Sequence, residues 1–490
     1  MRFKIPYMLT LFISPFCLAL PPGDKSNQTD LSQVIPKYRE SLAALPVDYS
    51  LIEKKRLTDV TLQKYQLNSQ SWTLQETLSP GRWQHEVDIY IPDLAREKNA
   101  LVVVNSGSND DGSGKAVAPT NFTQEQLSRI AIATKTIVIS VSNVPNQKLT
   151  YPGVTTPLAE DNSVAYSWKL FIDDAKKYQN ASLHIPMSAA VSQALRLAKT
   201  ELAAQNITQF IVTGASKRGW AAWLAALSDP DIVAIVPFAM DLLSTQESLK
   251  HMYRSYGNNW PAAFYPYYQQ EIDKQIDTNA FANLMTLEDP LSYLSGDTPD
   301  RLKIEKYIIN ASGDDFYVPD NVRLYYEKLP GPKSLRIVAN TTHNGILSAT
   351  ESSLITFINR YQQQIKLPEI TEIVAGDGHK HTTLKVNFSE KPVCVLQWTA
   401  QNPDARDFRY ACEIKYHSTP VVLAGGQEVT IPLTAPDRGW QATYIEATFS
   451  DGYVATTQVY VTPDEYPKIA PPAKGSACQT LPGRGLVPSH

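Results

Sequence analysis

The chain has 490 residues, of which 43% are hydrophobic and 19% are charged, and its formal net charge is −4. This length predicts two or three domains, each with its own core. The near-neutral balance gives no basis for contacts with nucleic acid or an anionic membrane, so neither is predicted as a partner.

The first twenty residues have the pattern of a secretory signal peptide. Arg2 and Lys4 form a basic start, an apolar stretch covers 5–20, and Ala19 offers a small residue for cleavage. The stretch is too short and too interrupted by proline for a membrane span. We expect residues 1–19 to be a signal peptide and the mature protein to be secreted or periplasmic, with no stable membrane insertion.

The next segment, residues 20–58, is predicted to be a partly extended N-terminal extension. Short alternating apolar runs follow between 59 and 92, for example over 83–91. Alternation with a period of two is typical of strands that bury one face. We therefore expect antiparallel strands that lead into a larger sheet.

Strands and helices then alternate, which is typical of a mainly parallel sheet covered by helices on both faces. Buried strands are predicted at 101–104, 136–141, 209–213, 232–238, 306–310 and 334–338. Helices are predicted at 123–133, 168–178, 187–204, 217–227, 321–328 and 347–363. The aromatic-rich segment of about 241–300 interrupts this alternation and is predicted to be a helical cap over the carboxyl edge of the sheet. The α/β domain is thus expected to cover 59–367.

Short alternating segments return after residue 368. They predict an antiparallel β-sandwich of immunoglobulin or fibronectin type over 368–463. A tail rich in proline and glycine, residues 464–490, is predicted to be extended or mobile. In an oxidising compartment we expect Cys394 and Cys412 to pair on neighbouring strands, with Cys478 free or in exchange with one of them.

The segment Ile-Val-Thr-Gly-Ala-Ser-Lys-Arg-Gly-Trp, residues 211–220, predicts a strand, a sharp turn and a helix with Ser216 at the turn. This is the arrangement of a nucleophile elbow. Gly214 allows a tight turn, but Arg218 stands where the G-x-S-x-G pattern has its second glycine. A serine before a helix is also a common N-cap, so the motif alone leaves both roles open.

The loops after two later strands supply candidates for the acid and the base of a triad. Asp314 and Asp315 follow the strand at 306–310, and His343 follows the strand at 334–338. The order serine, acid, histidine is that of α/β-hydrolases. One of the two aspartates is alternatively a turn or N-cap residue, and His343 a loop histidine bonded to backbone.

The oxyanion hole is predicted to use the amides of Lys217 and Gly107, the latter in the loop after the strand at 101–104. Trp260 and Tyr267 of the cap are predicted to line a substrate pocket. The side chains of Lys217 and Arg218 either add positive charge near a developing oxyanion or hold a substrate carboxylate, or they simply point to solvent or pair with aspartates. No metal and no cofactor are predicted.

Several longer segments resemble the PhoPQ-activated pathogenicity-related protein family, over about residues 45–465. The matching segments are Ser-Gln-Ser-Trp (69–72), Trp-Gln-His (83–85), Val-Pro-Asn-Gln (144–147), Glu160-Asp161, Ile-Pro-Met (185–187), Gly-Ala-Ser-Lys-Arg-Gly-Trp (214–220), Glu-Asp-Pro-Leu-Ser-Tyr (288–293), Gly-Asp-Asp-Phe-Tyr-Val-Pro-Asp (313–320) and Ala-Arg-Asp-Phe-Arg (405–409). The resemblance implies an α/β-hydrolase with a β-sandwich appendage and a link to envelope stress or virulence in bacteria. It implies a triad of Ser216, Asp314 and His343. Asp315 stays an alternative acid because the family motif has Glu at that position.

Together these patterns predict a secreted serine hydrolase that acts on an ester or peptide bond of a small molecule. The alternative is a secreted binding or signalling protein that keeps the hydrolase scaffold without turnover, with the β-sandwich as a surface for a protein partner.

Overall fold

The computed structural model describes residues 30–75, 77–296, 298–376, 382–423 and 426–486. The predicted signal peptide and residues 20–29 of the predicted extension lie outside the described residues. Within the described ranges, no helix combines the length and the apolar character that crossing a bilayer requires.

The helices and strands of the described residues are as follows. The helices are α1 (Val34–Ala43), α2 (Gln124–Thr134), α3 (Glu160–Asp173), α4 (His184–Glu201), α5 (Lys217–Ser228), α6 (Thr245–Ser255), α7 (Tyr265–Gln269), α8 (Asn279–Glu288) and α9 (Thr350–Gln362). The strands are β1 (Asp48–Leu57), β2 (Val60–Ser71), β3 (Arg82–Pro92), β4 (Asn99–Val104), β5 (Val138–Val141), β6 (Gln209–Ala215), β7 (Ile232–Phe238), β8 (Trp260–Pro261), β9 (Glu305–Ala311), β10 (Lys333–Val338), β11 (Ile370–Ala375), β12 (Thr382–Phe388), β13 (Cys394–Asn402), β14 (His417–Pro420), β15 (Glu428–Leu433), β16 (Trp440–Thr448), β17 (Val454–Thr456), β18 (Tyr460–Thr462) and β19 (Thr480–Leu481). The helix predicted at 321–328 is instead two short 3₁₀ turns.

The large sheet has the order β1-β2-β3-β5-β4-β6-β7-β9-β10 over the described residues. Pairing is antiparallel from β1 to β5 and parallel from β5 to β10. Residues of β4 alternate between two buried clusters, since Val102 and Val104 belong to one and Leu101 and Val103 to the other. Helices α3, α4 and α5 cover the first face, and α2 and α9 cover the second. The predicted α/β-hydrolase-like fold is confirmed.

The large sheet begins earlier than the sequence predicts. Strand β1 lies inside the predicted extension of 20–58 and pairs with β2 from Asp48 opposite Asn68 to Leu57 opposite Val60. Most of its side chains are exposed on both faces, so the strand has no apolar alternation. The alternation of apolar and polar residues from which a strand is predicted is therefore missing from β1.

The C-terminal region folds as antiparallel sheets. Strands β11, β12 and β15 form one sheet, and β13, β14, β16, β17 and β18 form the other. Leu384 of β12, Ile431 of β15 and Ile445 of β16 share one buried apolar cluster. The two sheets therefore pack as a sandwich.

The disulfide joins Cys412 to Cys478, and Cys394 is an exposed free cysteine. The predicted pairing of Cys394 with Cys412 is wrong, because Cys412 lies in a buried turn rather than on a strand beside β13. The tail that carries Cys478 continues into β19, which pairs with β8 of the cap. Up to residue 486 the tail is therefore extended and fastened to the cap.

Candidate active site

Ser216 occupies the turn between a strand and a helix. Strand β6 ends at Ala215, α5 begins at Lys217, and Ser216 between them has φ 56° and ψ −126°. A non-glycine residue in this region costs free energy that the surrounding structure must supply. The amide of Ser216 is fixed by a 2.8 Å hydrogen bond to the carbonyl of Phe238.

The glycines of the elbow explain how Arg218 is tolerated. A Cβ on Gly214 would lie 2.6 Å from the carbonyl oxygen of Arg218, and a Cβ on Gly219 would lie 3.0 Å from the carbonyl oxygen of Gly214. The two positions at which an added Cβ would be crowded are therefore two residues before and three residues after Ser216, and position 218 is not one of them. Arg218 points its side chain away from this contact, toward Glu160.

The side chains of Ser216, His343 and Asp314 form one hydrogen-bonded chain. His343 Nε2 lies 2.9 Å from Ser216 Oγ, and His343 Nδ1 lies 2.9 Å from one carboxylate oxygen of Asp314. Because a carboxylate only accepts, Nδ1 carries the proton, which leaves Nε2 free to accept from the serine hydroxyl.

The two neighbouring aspartates have different surroundings. Asp314 is buried and accepts the backbone amides of Phe316 and Tyr317 at 2.7 and 3.1 Å, besides the imidazole. Asp315 is half-buried and borders the cavity described below. Burial and the charge of Asp314 raise the pKa of Asp315. The acid in contact with the imidazole is Asp314.

The C-terminal region braces the loops that carry His343 and Asp314. The side-chain amide of Asn340 donates to the carbonyl of Tyr416 at 2.9 Å and its oxygen accepts the amide of Tyr416 at 2.7 Å. The amide of Tyr410 donates to the carbonyl of Gly313 at 3.0 Å. Both loops therefore depend on contacts from outside the α/β domain.

Ser216 opens into a cavity of about 170 Å³. Its lining residues are Asp161, Ser216, Lys217, Trp220, Leu242, Ala263, Tyr267, Asp315, Phe316, Tyr317, His343 and Asn344. Four of them are aromatic and two are carboxylates, so the cavity combines apolar walls with a few polar groups. Such a composition is typical of small-molecule sites.

The cap supplies Tyr267 to this cavity, as predicted, but not Trp260. Trp260 is 1% exposed and stacks on Phe264 with ring centroids 4.4 Å apart, and Phe264 in turn stacks on Tyr267 at 5.3 Å. The prediction for Trp260 is corrected, because this ring supports the cavity wall from behind.

The two residues predicted for the oxyanion hole occupy neighbouring strand ends. Val104 of β4 pairs with Gly214 of β6, so the chain leaves both strands at the same edge. Lys217 begins α5 and borders the cavity, whereas Gly107, with φ 109°, is not among the described residues that line it. The amino end of α5 directs backbone N–H groups and positive dipole toward Ser216.

The cationic side chains beside Ser216 pair with carboxylates. Lys217 Nζ lies 2.8 Å from Glu160 and 3.2 Å from Asp161, and Arg218 lies 2.7 Å from Glu160. Burial alone raises the pKa of Glu160, but Lys217 and Arg218 outweigh it and hold that pKa well below its usual range. Both cations therefore pair with acidic residues, and Lys217 also borders the cavity.

The imidazole of His343 also has a shifted pKa. Burial lowers this pKa, but the charge of Asp314 and its hydrogen bond outweigh burial, so the pKa is raised above the ordinary 6.5. Asp161 adds to the increase, while Lys217 opposes it.

One cluster of described residues has the spacing of a metal site, Asp407 with Cys412 and Cys478. Its two sulfurs are bonded to each other, so they are not available as thiolate ligands.

Sequence reasoning gave no role to Gln147, Glu160 or Asp161. All three lie in segments that carry the family resemblance, which is the signal that could have singled them out. Asp161 borders the cavity, and Glu160 and Gln147 lie next to it in a hydrogen-bonded network.

Solved structures with a similar course of the chain include two acetyl xylan esterases. The enzyme from Paenibacillus sp. R4 has a TM-score of 0.46 at 14% identity and covers 70% of this chain and 96% of its own. Acetyl xylan esterase 1 from Thermoanaerobacterium sp. JW/SL YS485 has a TM-score of 0.43 at 12% identity and covers 67% of this chain and 93% of its own.

The sequence comparison with a curated relative covers more of the chain, and at higher identity, than these two structures do. Autocrine proliferation repressor protein A of Dictyostelium discoideum is 27% identical over 446 residues, which are 85% of this chain and 87% of that protein. The model of the PhoPQ-activated pathogenicity-related proteins matches residues 35–409. The matched segment is most of the chain and includes Ser216, Asp314 and His343, and the protein therefore belongs to the PhoPQ-activated pathogenicity-related protein family.

Proposed function

We propose that this protein is a secreted serine hydrolase of ester or peptide bonds. The observation that carries the proposal is the hydrogen-bonded chain from Ser216 through His343 to Asp314. The raised pKa of His343 and the positive φ of Ser216 support it, because perturbed titratable groups and strained backbone concentrate at catalytic sites.

In the proposed reaction, Ser216 Oγ attacks the carbonyl carbon of the substrate while its proton passes to His343 Nε2. Asp314 holds the imidazole in the required tautomer and stabilises its positive charge. The amide of Lys217, at the amino end of α5, donates to the oxyanion of the tetrahedral intermediate. His343 then gives its proton to the leaving oxygen or nitrogen, and water releases the acyl group from Ser216 by the same steps in reverse.

The cavity constrains the substrate. A space of about 170 Å³ bordered by Tyr267, Phe316 and Tyr317 accommodates a small group with an apolar surface next to the scissile bond. The substrate is therefore proposed to be a small molecule or the terminal group of a longer substrate chain.

Secretion is part of the proposal. It is supported by the basic and apolar N-terminal sequence and by a relative whose name describes an autocrine factor. The family description adds a link to PhoPQ-activated pathogenicity, which we extend to action at the cell envelope or outside the cell.

Labelling with a fluorophosphonate probe tests the proposal, because such probes phosphonylate activated serines. We expect stoichiometric labelling of the wild type, none of Ser216→Ala, and normal labelling of Ser128→Ala, whose hydroxyl bonds a carbonyl of α2. A panel of acyl esters and aminoacyl substrates then separates esterase from peptidase. A folded wild-type protein that takes up no probe would favour the non-catalytic binding protein instead.

A further inference from the structure

Two side chains connect the loop after β4 with the first turn of α5. Gln147 donates its amide to the carbonyl of Gly107 at 3.2 Å and to Glu160 Oε1 at 2.7 Å. Its own oxygen accepts the backbone amide of Glu160 at 3.1 Å. Gln147 is therefore fastened on one side to the loop and on the other to the start of α3.

Glu160 completes the connection on the other side. Its carboxylate accepts from Arg218 Nη2 at 2.7 Å and Nη1 at 3.3 Å, and it pairs with Lys217 Nζ at 2.8 Å. The side chains of Lys217 and Arg218 are only 9% and 5% exposed. Buried cations require a partner, so Glu160 helps to hold both residues that follow Ser216 in place, with Asp161 as a second partner of Lys217 at 3.2 Å.

We infer that Glu160 is a positioning residue for the oxyanion-binding amide of Lys217, an inference that rests on the proposed function. The two residues predicted from the sequence to supply such amides lie in separate segments, and of these Lys217 borders the cavity whereas Gly107 is not among its described lining residues. The path Gly107–Gln147–Glu160–Lys217 joins these segments by side chains alone. Glu160 is not among the cavity-lining residues of the described chain, so it acts through the residues that it holds.

The physical reason is the narrow tolerance of oxyanion stabilisation. Donors act at about 2.7–3.1 Å from the position of the developing charge, and a displacement of about 1 Å costs roughly a hundredfold in rate. Substrate binding in the ground state is less sensitive, because Lys217 is the one member of this path among the described residues that line the cavity. Loss of Glu160 should therefore lower kcat with little change in KM.

Two variants interrupt the path at different points. Glu160→Gln removes the charge that Lys217 and Arg218 share while it keeps the shape of the side chain, and Lys217 retains its pair with Asp161. Gln147→Leu breaks the link to Gly107 and changes no charge. Glu351→Gln is the matched control, because Glu351 on α9 also accepts two hydrogen bonds from one arginine, Arg129, at 2.7 Å each, and is not among the described cavity-lining residues.

The measurements are kcat and KM on an activated aryl ester, the inhibition constant of a boronic acid that forms a tetrahedral adduct with serine, and the thermal midpoint. We expect Glu160→Gln and Gln147→Leu each to lower kcat by about tenfold or more, with KM within about twofold. Boronate binding should weaken in parallel with kcat, and Glu351→Gln should match the wild type. Because both variants interrupt the same path, their effects should not be independent. The fold-loss in kcat of the double variant should therefore be clearly smaller than the product of the two single fold-losses.

Normal kcat and normal boronate binding in Gln147→Leu would overturn the inference, and so would a loss confined to KM. If Glu160→Gln does not fold, Gln147→Leu carries the test by itself. Failure of the proposed function is recognised separately, because the wild type would then take up no fluorophosphonate. Failure of the inference instead leaves an active wild type whose activity both variants retain.

Discussion

His343 Nε2 lies 2.9 Å from Ser216 Oγ, although 127 residues separate the two along the chain. The parallel pairing of β6, β7, β9 and β10 accounts for this proximity, since all four strands end at the same edge of the sheet. Ser216 follows β6, Asp314 follows β9 and His343 follows β10. Each residue needs only a short loop to reach the other two.

The protonation of His343 predicts the acid limb of the pH profile. A general base must be neutral, so activity rises as the pH passes upward through the pKa of the imidazole. Because Asp314 raises this pKa, we expect the acid limb of kcat/KM to have an apparent pKa above 6.5. The measurement is a pH profile of ester hydrolysis by the wild type. An acid limb with an apparent pKa below 6.5 would mean that the effect of burial on the pKa of His343 outweighs the effect of Asp314.

Replacement of the two neighbouring aspartates separates their roles. Asp314→Asn removes the partner of Nδ1, and we expect kcat to fall by roughly 10⁴-fold, as is usual for loss of the triad acid. The residual activity should show its acid limb at lower pH than in the wild type, because burial still lowers the pKa of His343. Asp315→Asn is the matched control and should change KM more than kcat, since Asp315 borders the cavity. The reverse order of effects in steady-state kinetics would assign the acid to Asp315.

The order of the proposed triad residues was predictable because it depends on strand ends, which apolar runs reveal. Other features depend on contacts between distant segments and leave no local pattern. Trp260 has the composition of a pocket residue, yet its ring packs inside the cap. Strand β1 lacks alternation, and Cys478 bonds to Cys412 across 66 residues of sequence, just before β19 pairs with the cap. The path through Gln147 and Glu160 likewise exists only once α3 packs beside the elbow.

The two cap aromatics should respond differently to truncation. Trp260→Ala removes a buried ring, so we expect it to lower the free energy of unfolding by about 3–5 kcal/mol. Tyr267→Leu removes a cavity wall that also bonds Asp161 at 3.3 Å, so it should raise KM several-fold. Urea unfolding and steady-state kinetics on both variants are the measurements. Trp260→Ala with normal stability and a large increase in KM would restore Trp260 as a substrate contact.

The disulfide assignment leads to a stability prediction. Cys412 and Cys478 are 66 residues apart in sequence, and cross-links of this kind contribute about 2–4 kcal/mol. We expect the double replacement of Cys412 and Cys478 by serine to lower the free energy of unfolding in urea by this amount. Cys394→Ser should leave it unchanged, because Cys394 is exposed and free. Peptide mapping without reductant provides the direct check, and a fragment that links Cys394 to Cys412 would contradict the assignment.

Gly214 tests whether the elbow itself is required. A methyl group there would lie 2.6 Å from the carbonyl oxygen of Arg218, and backbone atoms cannot move aside as a flexible side chain can. We expect Gly214→Ala to lower the free energy of unfolding by about 1–3 kcal/mol and to slow fluorophosphonate labelling of Ser216 sharply, because relief of the clash opens the turn. Gly426→Ala is the control, since the nearest atom to its added methyl group lies 3.9 Å away. Labelling at the wild-type rate in a stable Gly214→Ala protein would show that the reactivity of Ser216 does not depend on the tight turn.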